Sequence, residues 1–553
     1  MTFLTPLEMF FRWEEEMPHE SFLVEPLEGK YYHYTWQQVG DQARRMAAYI
    51  DSLNLPPFTK IGILSQNCAH WVIADLAIMM AKHISVPLFP NMSNKALGKT
   101  IRHSDMGLLF LGKLDDFENQ RTAIPKDLPS VLFPCYRRSE TTHHWNNIIQ
   151  HYSPLEGSIK VDAGTPATIM YTSGTSDRPK GAMHDYYNLT FVSDHYRQLL
   201  GMRPKDRLVS HLPLAHMVER VLIELGAIYA GASITFCNDS KALFTVMRRV
   251  KPTLFGGLPH TWRKINQEIL GDSSGWSLRL ALSLPIVNWL IRRRTLKRIG
   301  LEKCRLFITG GAPMDHELKR WFQKLAIRLE EIYAMTENTC YSHSTLLQSA
   351  PVNAVGRSLP EVDVKIATDG EVLMRHEGMM RGYYQETELT LEAFTADGFL
   401  KTGDRGTIDK EGNLIILGSM EDVKLPSAAG LTTNEIERNF CRHYLIDQVC
   451  IIEGNKEEKI ALTVLMNEAR KQSKVALTKE LEKVLAKINS RLSPADQMAK
   501  MVIMQEPMTV ENGLLTPTMK VKRQAVERRV QHRKRAWSQP AQNVIWIEEA
   551  LPS

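Results

Sequence analysis

Apolar positions in the first four hundred residues alternate between two patterns, one typical of strands and one typical of helices. Residues 60–65 form a short apolar run, and residues 71–81 carry apolar side chains at helical spacing. Further strand candidates lie at 208–212, 233–236, 254–257 and 306–309. This alternation predicts an α/β fold, with a large N-terminal domain of sheets covered by helices.

The pattern changes after residue 362. Short apolar runs separated by three glycine-containing turns predict a small β-rich subdomain at about 362–417. A polar segment follows, and beyond it the periodicity indicates a compact α+β unit. We therefore predict an N-terminal domain of residues 1–417 and a small C-terminal domain of residues 418–553. The elements expected in the second domain are a helix at 435–444, strands at 448–453 and 459–466, and a long helix at 477–491.

Composition excludes several classes of protein. The chain has 553 residues, 43% hydrophobic and 24% charged, which are ordinary values for a soluble protein. A net charge of +6 is small for this length, and no nucleic-acid partner is expected. The seven cysteines are scattered without C-x-x-C spacing, so neither a disulfide framework nor a zinc site is predicted. With acidic residues at 14–16 and no signal peptide, the expected location is cytoplasmic.

One segment raises the question of membrane contact. No run of 18 apolar residues exists, so no transmembrane span is predicted. Residues 280–291 are mostly apolar, are interrupted by Pro285 and Asn288, and are followed by three arginines. A buried helix with a solvated basic end is the interpretation that we favour. Peripheral contact with an anionic membrane surface is the alternative.

The segment 171–183 has the composition of a phosphate-binding loop. Glycines let backbone N–H groups approach phosphate oxygens, hydroxyls donate further hydrogen bonds, and a lysine adds a positive charge. The apolar run 167–171 before it predicts a buried strand that leads into the loop. Lys180 is followed by Gly181 rather than by Ser or Thr, so the loop is not a P-loop. The candidate phosphate ligands are Thr172, Ser173, Gly174, Thr175 and Lys180.

Four further segments have the character of a nucleotide site. Residues 308–314 end a predicted strand in a Gly-Gly turn, where ligands collect in α/β folds. Residues 332–338 combine an aromatic ring, a hydroxyl and a carboxylate, which suit a purine, a phosphate and Mg²⁺. Asp404 follows a turn and suits the hydroxyls of a ribose, and Lys520 follows a proline turn near the C-terminus. Each segment alone is weak, but their order along the chain is specific.

Together these segments resemble the adenylate-forming superfamily, which includes acyl-CoA synthetases, firefly luciferase-like enzymes and peptide synthetase adenylation domains. The resemblance covers almost the whole chain, including 61–67, 71–77 and 86–90 in the first half. Residues 211–220 and 512–520 look most like the long-chain fatty acyl-CoA synthetase branch.

The resemblance implies a fatty acid–CoA ligase that uses ATP, Mg²⁺ and CoA and releases AMP and pyrophosphate. The fatty-acid carboxylate attacks the α-phosphate of ATP, and the CoA thiol then displaces AMP from the acyl-adenylate. The first step gathers negative charge at phosphorus, where cations and hydrogen-bond donors matter most.

The resemblance also implies a role for each candidate. The phosphate-loop residues would hold the β- and γ-phosphates, and Asp404 would hold the ribose. Thr336 would bond the α-phosphate, Glu337 would hold Mg²⁺, Lys520 would bridge the acyl carboxylate and the ribose-phosphate, and His216 would lie beside the acyl carboxylate. The adenine site would consist of Tyr333, Gly311, Ala312 and Pro313.

In this superfamily the small C-terminal domain is mobile and rotates between the two half-reactions. The matching hinge is Asp422, and residues 424–430 would enter the site for thioester formation. The chain departs from the family pattern at three places. Ser176 and Asp177 stand where a Gly is usual, Ser419 stands where an Arg usually helps to hold the ribose, and the thioester loop at 427–430 has an unusual sequence.

These departures leave alternatives open. An acyl-AMP ligase that loads a carrier-protein thiol is one, and a degenerate homologue that binds acyl chains or nucleotide without turnover is another. The acyl chain length, the thiol acceptor, the effect of Ser419, the pathway and the oligomeric state are not readable from the sequence. Residues 256–259 and the segment around His216 are expected to form part of the wall of an acyl tunnel.

Overall fold

The structure is a computed structural model that describes most of the chain. The described residues are 4–134, 143–172, 179–237, 239, 241–270, 285–420, 433–454, 458–466, 469–516, 520–537 and 542–547. Several predicted site features lie outside these residues. They are Ser173, Gly174 and Thr175 with the unusual Ser176 and Asp177, the hinge Asp422, and the thioester loop 424–430.

A seven-stranded sheet forms the first layer of the large α/β unit. Most positions of its strands are buried because helices cover the sheet, as is usual for parallel strands. Only the two strands at one end pair antiparallel with their neighbours. In spatial order the strands are Gly382–Tyr383, Gly181–Asp185, Pro166–Tyr171, Ile84–Leu88, Lys60–Leu64, Met106–Leu111 and Ser130–Leu132.

A five-stranded sheet carries the second group of candidate residues. Its first three strands are parallel, so their carboxyl ends meet at one edge. In spatial order they are Leu254–Gly257, Leu306–Gly310, Leu329–Tyr333, His343–Ser344 and Arg357–Ser358. A four-stranded sheet lies in the same part of the molecule. Its strands are Lys30–Thr35, Ser21–Leu27, Ser233–Phe236 and Arg207–Ser210.

Helices cover these sheets. The first begins at a capping box, in which Thr5 and Glu8 satisfy each other's backbone N–H groups. The described helices before residue 420 include a π-helical turn at Arg220–Leu225 and a 3₁₀ turn at Thr336–Asn338. The others are Pro6–Glu16, Trp36–Ser52, Ala69–Met80, Asn94–Ser104, Phe117–Arg121, Trp145–His151, Tyr186–Leu199, Met217–Glu219, Gly226–Ala230, Leu243–Val250, Pro259–Leu270, Pro285–Ile299, His316–Lys324 and Thr387–Ala393.

The β-rich segment forms an antiparallel sheet of four strands. They are Asp363–Ile366, Glu371–Arg375, Leu400–Ile408 and Leu414–Ser419. The final segment builds a mixed sheet with its own hydrophobic core. Its strands are Ile446–Glu453, Lys459–Leu465, Met498–Met504 and Val544–Trp546, and its helical elements are Thr433–Cys441, Ala469–Lys471, Lys474–Asn489, Pro494–Asp496, Arg523–Val530 and Lys534–Trp537. The α/β class is confirmed, and the domain boundary at 418 stays a prediction.

The helix Pro285–Ile299 corrects one expectation. Trp289 and Leu290 are each 54% exposed, so the prediction of a buried helix is wrong for these two side chains. The helix buries Leu296 and Ile299 instead, against neighbouring helices. In the part of the chain that the structure describes, no helix has the length and apolarity to cross a membrane.

Candidate active site

The phosphate loop is the connection of a β-hairpin. Strands Pro166–Tyr171 and Gly181–Asp185 pair antiparallel, and the Thr172 N–H donates to the carbonyl of Lys180 at 2.9 Å. The structure therefore holds Thr172 and Lys180 at the two ends of the predicted loop. The Lys180 ammonium lies 5.9 Å from the centre of the Tyr383 ring. A cation at this distance is attracted to the face of the ring, which limits where Lys180 points.

Glu337 lies on the turn that follows strand Leu329–Tyr333. The Asn338 side chain accepts a hydrogen bond from the Met335 N–H at 3.0 Å and fixes this turn. The Glu337 side chain is buried, and its Oε1 accepts a hydrogen bond from the Tyr383 hydroxyl at 2.8 Å. Burial raises the pKa of Glu337, while the Tyr383 hydrogen bond and the charges of Lys180 and Lys520 oppose that rise. Both lysines therefore lie within electrostatic range of this carboxylate. The hydroxyl residue Thr336 begins the same turn and is partly exposed.

Lys520 comes to this site from the C-terminal segment. Its N–H donates to Thr516 Oγ1 at 3.0 Å, and the Thr516 N–H donates to the Lys520 carbonyl at 2.8 Å. These two bonds close a turn and leave the lysine exposed. Lys520 acts electrostatically on Glu337 and also on His216. The structure thus brings together three candidates that are far apart in the sequence.

His216 caps the helix Met217–Glu219. Its Nδ1 accepts a hydrogen bond from the Val218 N–H at 3.2 Å, so the ring proton of the neutral form is on Nε2. Burial lowers the pKa of His216 to about 4, and the positive charge of Lys520 adds to this effect. The imidazole is therefore neutral at physiological pH and offers an Nε2–H donor.

The nucleoside end of the site joins two sheets. The Tyr333 hydroxyl donates a hydrogen bond to Asp404 Oδ2 at 2.7 Å. This bond links the five-stranded sheet to the four-stranded sheet of the β-rich segment. Burial and the Asp404 carboxylate raise the pKa of Tyr333 well above its ordinary value. Gly311 has a φ of +74°, which suits glycine. Ala312 and Pro313 are exposed beyond it, so this turn is open to a ligand.

An apolar cavity extends into the large domain from the carboxyl ends of strands Leu254–Gly257, Leu306–Gly310 and Leu329–Tyr333, and aliphatic side chains and glycines form most of its lining. Gly256, Gly257 and Leu258 line it, as expected from the sequence, and the segment after His216 contributes Val218 and Leu222. The cavity begins beside Gly311 and Ala334, next to the nucleoside end. The polar candidate residues and the apolar cavity therefore lie next to each other at the carboxyl ends of the parallel strands of the five-stranded sheet.

Residues 10–384 match the family model for AMP-binding enzymes. The chain belongs to this family. Of its relatives, the long-chain-fatty-acid–CoA ligase FadD15 of Mycobacterium bovis is 26% identical, and the alignment covers 94% of each chain. Fatty acyl-CoA synthetase A of Dictyostelium discoideum is 24% identical over 92% of this chain and 86% of the relative.

Solved structures support the fold. The adenylation domain of a carboxylate reductase from Mycobacterium chelonae aligns with a TM-score of 0.81 at 19% identity, covering 97% of this chain and 91% of that one. An anthranilate CoA ligase in complex with anthranoyl-AMP aligns with a TM-score of 0.76 at 18% identity, covering 96% and 98%. The chain therefore has the fold of adenylate-forming ligases.

Tyr383 contacts two of the candidate site residues of this AMP-binding enzyme, and the sequence analysis did not name it. It lies on the short strand Gly382–Tyr383, which pairs with strand Gly181–Asp185 next to the phosphate loop. This pairing places its ring beside Lys180 and its hydroxyl on Glu337. The sequence Gly382-Tyr-Tyr384 marks an aromatic strand, but nothing in it indicates a carboxylate partner 46 residues away.

Ser419 lies directly across from Asp404 in the antiparallel pair of strands Leu400–Ile408 and Leu414–Ser419. Its hydroxyl donates to the carbonyl of Gly403 at 3.3 Å. The departure from the family pattern is therefore located at the residue that faces the predicted ribose ligand. The short Ser419 side chain occupies a position from which the longer side chain of an arginine would reach Asp404.

The residues of this AMP-binding enzyme fit a Mg²⁺ ion held mainly by its substrate. Among the described residues, no group of three His, Cys, Asp or Glu side chains forms a metal site. Glu337 supplies one buried carboxylate beside Thr336. Mg²⁺ is commonly bound by one or two carboxylates together with substrate phosphates and water, so one carboxylate suits an ion that arrives with ATP.

Proposed function

We propose that this AMP-binding enzyme converts a long-chain fatty acid into its CoA thioester, using ATP and passing through an acyl-adenylate. The observation that carries the proposal is the apolar cavity that begins at the edge of the sheet where the nucleotide candidates lie. The names of the full-length relatives, which are fatty acid–CoA ligases, support the same conclusion.

We assign nucleotide binding to residues on this edge and on the two sheets that hydrogen-bond to it. Thr172 and Lys180, with Ser173, Gly174 and Thr175, hold the β- and γ-phosphates. Tyr333 stacks on adenine, which lies along Gly311, Ala312 and Pro313. Asp404 accepts hydrogen bonds from the ribose hydroxyls, and the hydroxyl of Tyr333 holds Asp404 in position.

In the first step, a carboxylate oxygen of the fatty acid forms a bond to the α-phosphorus of ATP. The bond from that phosphorus to the bridging oxygen of the β-phosphate breaks, and pyrophosphate leaves. Lys520 and the Thr336 hydroxyl stabilise the negative charge that collects on the α-phosphoryl oxygens. His216 orients the attacking carboxylate through Nε2–H, because the neutral ring keeps its Nδ1 on the Val218 N–H.

Mg²⁺ supplies charge neutralisation on the phosphates when it is bound, and Glu337 is the residue that would hold it. The Tyr383 hydroxyl keeps the Glu337 carboxylate oriented. Burial raises the pKa of Glu337, and the Tyr383 hydrogen bond and the charges of Lys180 and Lys520 limit that rise.

In the second step, the sulfur of CoA forms a bond to the acyl carbon, AMP leaves with one former carboxylate oxygen, and the thiol proton passes to solvent. We assign this step to a rearrangement of residues 418–553 about Asp422. The approach of Lys520 to Glu337 and His216 supports an arrangement suited to the first step. An ion pair of Arg442 with Asp315, at 3.1 Å, also connects the two parts of the chain.

The test is a pyrophosphate-release assay with ATP, Mg²⁺ and palmitate, followed by titration with CoA. The proposal predicts pyrophosphate release that depends on the fatty acid, and palmitoyl-CoA among the products once CoA is present. Pyrophosphate release without a CoA thioester would instead indicate a ligase that loads a carrier-protein thiol. Binding of fatty acid or nucleotide without pyrophosphate release would indicate a non-catalytic homologue.

We also propose that the exposed end of helix Pro285–Ile299 contacts an anionic membrane surface. Trp289 and Leu290 are exposed, and the Arg293 guanidinium lies 5.5 Å from the centre of the Trp289 ring. An exposed apolar pair beside arginines suits a headgroup layer. Co-sedimentation with anionic vesicles should fall in Trp289→Ser and not in the control Leu391→Ser, which changes an exposed leucine elsewhere. Equal binding of both variants would contradict this proposal.

A further inference from the structure

Along strand Leu306–Gly310, the acyl cavity is lined by Ile308, Thr309 and Gly310. The four residue steps from Leu306 to Gly310 cover about 13 Å, and Gly310 lies at the nucleotide edge. At the opposite end of the strand, the Arg305 guanidinium donates to the carbonyls of Leu200 and Gly201 at 2.9 and 2.8 Å. The segment that follows helix Tyr186–Leu199 is therefore fixed at the end of the cavity farthest from the nucleotide.

Met202 lies in this segment and lines two cavities. On one side it is part of the wall of the acyl cavity, together with Leu200 and Leu208. On the other side it lines an outer cavity, together with Met9 and Trp13. Its side chain is only 6% exposed, so it fills the space between them. Among the residues that the structure describes, Met202 alone lines both cavities.

The side chain of Met202 is suited to be a movable wall. Methionine is unbranched and fills irregular gaps with several rotamers. Gly226 lies against it, because a Cβ at Gly226 would be 3.1 Å from Met202 Cε. The absence of a side chain at Gly226 therefore leaves Met202 room to remain outside the acyl path.

We propose that Met202 is the end wall of the acyl cavity and sets the longest acyl chain that the enzyme activates efficiently. This inference rests on the proposed function. The terminal methyl group of the substrate contacts Met202, and chains that exceed the cavity must displace its side chain towards the outer cavity. Displacement is costly because Met202 is only 6% exposed and packs against Gly226, so the surrounding side chains must shift to admit it elsewhere.

A substitution at Gly256 should change the length of the acyl cavity in the opposite direction from Met202→Ala. A Cβ at Gly256 would have only Ile308 Cβ nearby, at 3.9 Å, so a side chain there would enter open space in the cavity. Gly256 does not have a positive φ, and a larger residue is therefore not strained. Gly256→Val should shorten the cavity, whereas Met202→Ala should lengthen it.

The experiment measures kcat/KM for pyrophosphate release with saturated fatty acids from about eight to twenty-four carbons. Met202→Ala removes three heavy atoms beyond Cβ, so we expect the preferred length to rise by about two to four carbons, with a gain of about tenfold for the longest acids. Gly256→Val should move the preference to shorter acids. Met9→Ala is the matched control, since Met9 lines only the outer cavity, and its profile should equal that of the unmodified protein.

A second variant and a second measurement keep the inference falsifiable. Where Met202→Ala does not fold, Gly226→Ala crowds Met202, because the new Cβ would lie 3.1 Å from Met202 Cε, and should shift the preferred chain length. Calorimetric binding of the same acids without ATP reports the length preference independently of turnover. A shifted binding profile in a protein without turnover would contradict the proposed function alone.

Turnover with identical length profiles in Met202→Ala and the unmodified protein would overturn the role of Met202 and leave the proposed function intact. An equal loss of kcat/KM in Met202→Ala for acids of every length would also overturn this role, because an end wall acts only on chains that reach it. The absence of both turnover and fatty-acid binding would contradict both proposals.

Discussion

The two ends of the site are built on opposite principles. At the nucleotide end, two tyrosine hydroxyls donate hydrogen bonds to carboxylates, Tyr333 to Asp404 and Tyr383 to Glu337. The charges of Lys180 and Lys520 also act on Glu337. At the acyl end, glycines and aliphatic side chains form the wall. The ends meet at the carboxyl ends of the parallel strands Leu254–Gly257, Leu306–Gly310 and Leu329–Tyr333.

This difference teaches where each property of the enzyme resides. The polar end holds charged groups in fixed directions, so removal of one group there changes the rate of a chemical step. The apolar end recognises its substrate by volume, so a change there alters which substrate reacts. Glu219 is the one carboxyl among the described residues of the acyl wall. It fits this division because it accepts hydrogen bonds from Ser210 Oγ and the His211 N–H, at 2.8 and 2.9 Å.

The largest effect is expected from Lys520→Ala. Loss of the cation that acts on Glu337 and His216 should reduce fatty-acid-dependent pyrophosphate release by about a hundredfold to a thousandfold. The length profile of the remaining activity should not change, because Lys520 does not line the acyl cavity. Lys479→Ala, on an exposed helix position of the same segment, is the control. Unchanged activity in Lys520→Ala would remove this lysine from the site.

A smaller loss is expected from Tyr383→Phe, which keeps the ring beside Lys180 but removes the donor to Glu337. The loss of one hydrogen bond to a charged group costs about 2 kcal/mol, or about thirtyfold in kcat/KM for ATP. The pKa of Glu337 should rise further, so the acidic limb of the pH–rate profile should move to higher pH. Tyr384→Phe removes the hydroxyl of the neighbouring ring and should change neither kcat/KM for ATP nor the position of the acidic limb. Identical behaviour of the two variants would contradict this role of Tyr383.

Ser419→Arg should strengthen the nucleotide end. A guanidinium across from Asp404 gains a charged contact to the ribose, partly screened by solvent, so we expect the KM for ATP to fall by about fivefold. Ser419→Gln adds length without charge and serves as the control. An unchanged or higher KM in Ser419→Arg would show that this position does not influence nucleotide binding.

The last effect concerns the pH dependence of stability at the acyl end. Burial raises the pKa of Glu219 from 4.5 to about 8. A raised pKa means that the folded chain binds the proton more tightly, so this contribution to stability is complete below about pH 4.5 and is lost as the pH rises towards 8. Glu219→Gln should flatten the fall in the free energy of unfolding between these pH values, by at most about 1.4 kcal/mol per pH unit. Denaturant titrations should show no such change in the exposed control Glu388→Gln. An equal pH slope in Glu219→Gln and the unmodified protein would contradict this assignment.

The sequence predicts the polar end better than the apolar end. Residues 332–338 and the ends of the phosphate loop are short contiguous motifs, so their chemistry is visible without a structure. Tyr383 was missed because its partner is set by strand pairing across the sheet. Met202 was missed because a cavity wall is formed by side chains from elements that are distant in the sequence. The periodicity of apolar residues does not show which of these side chains meet. The exposure of Trp289 was wrongly predicted because an apolar run does not tell which side of a helix packs.

The most direct test of the central claim is the fate of a carboxylate oxygen. If both ends act on one substrate, the fatty-acid carboxylate attacks the α-phosphorus of ATP and leaves one of its oxygens in AMP. Palmitate labelled with oxygen-18 should therefore give AMP that carries one labelled oxygen and pyrophosphate that carries none, as measured by mass spectrometry. Unlabelled AMP together with an acyl product would contradict the acyl-adenylate pathway.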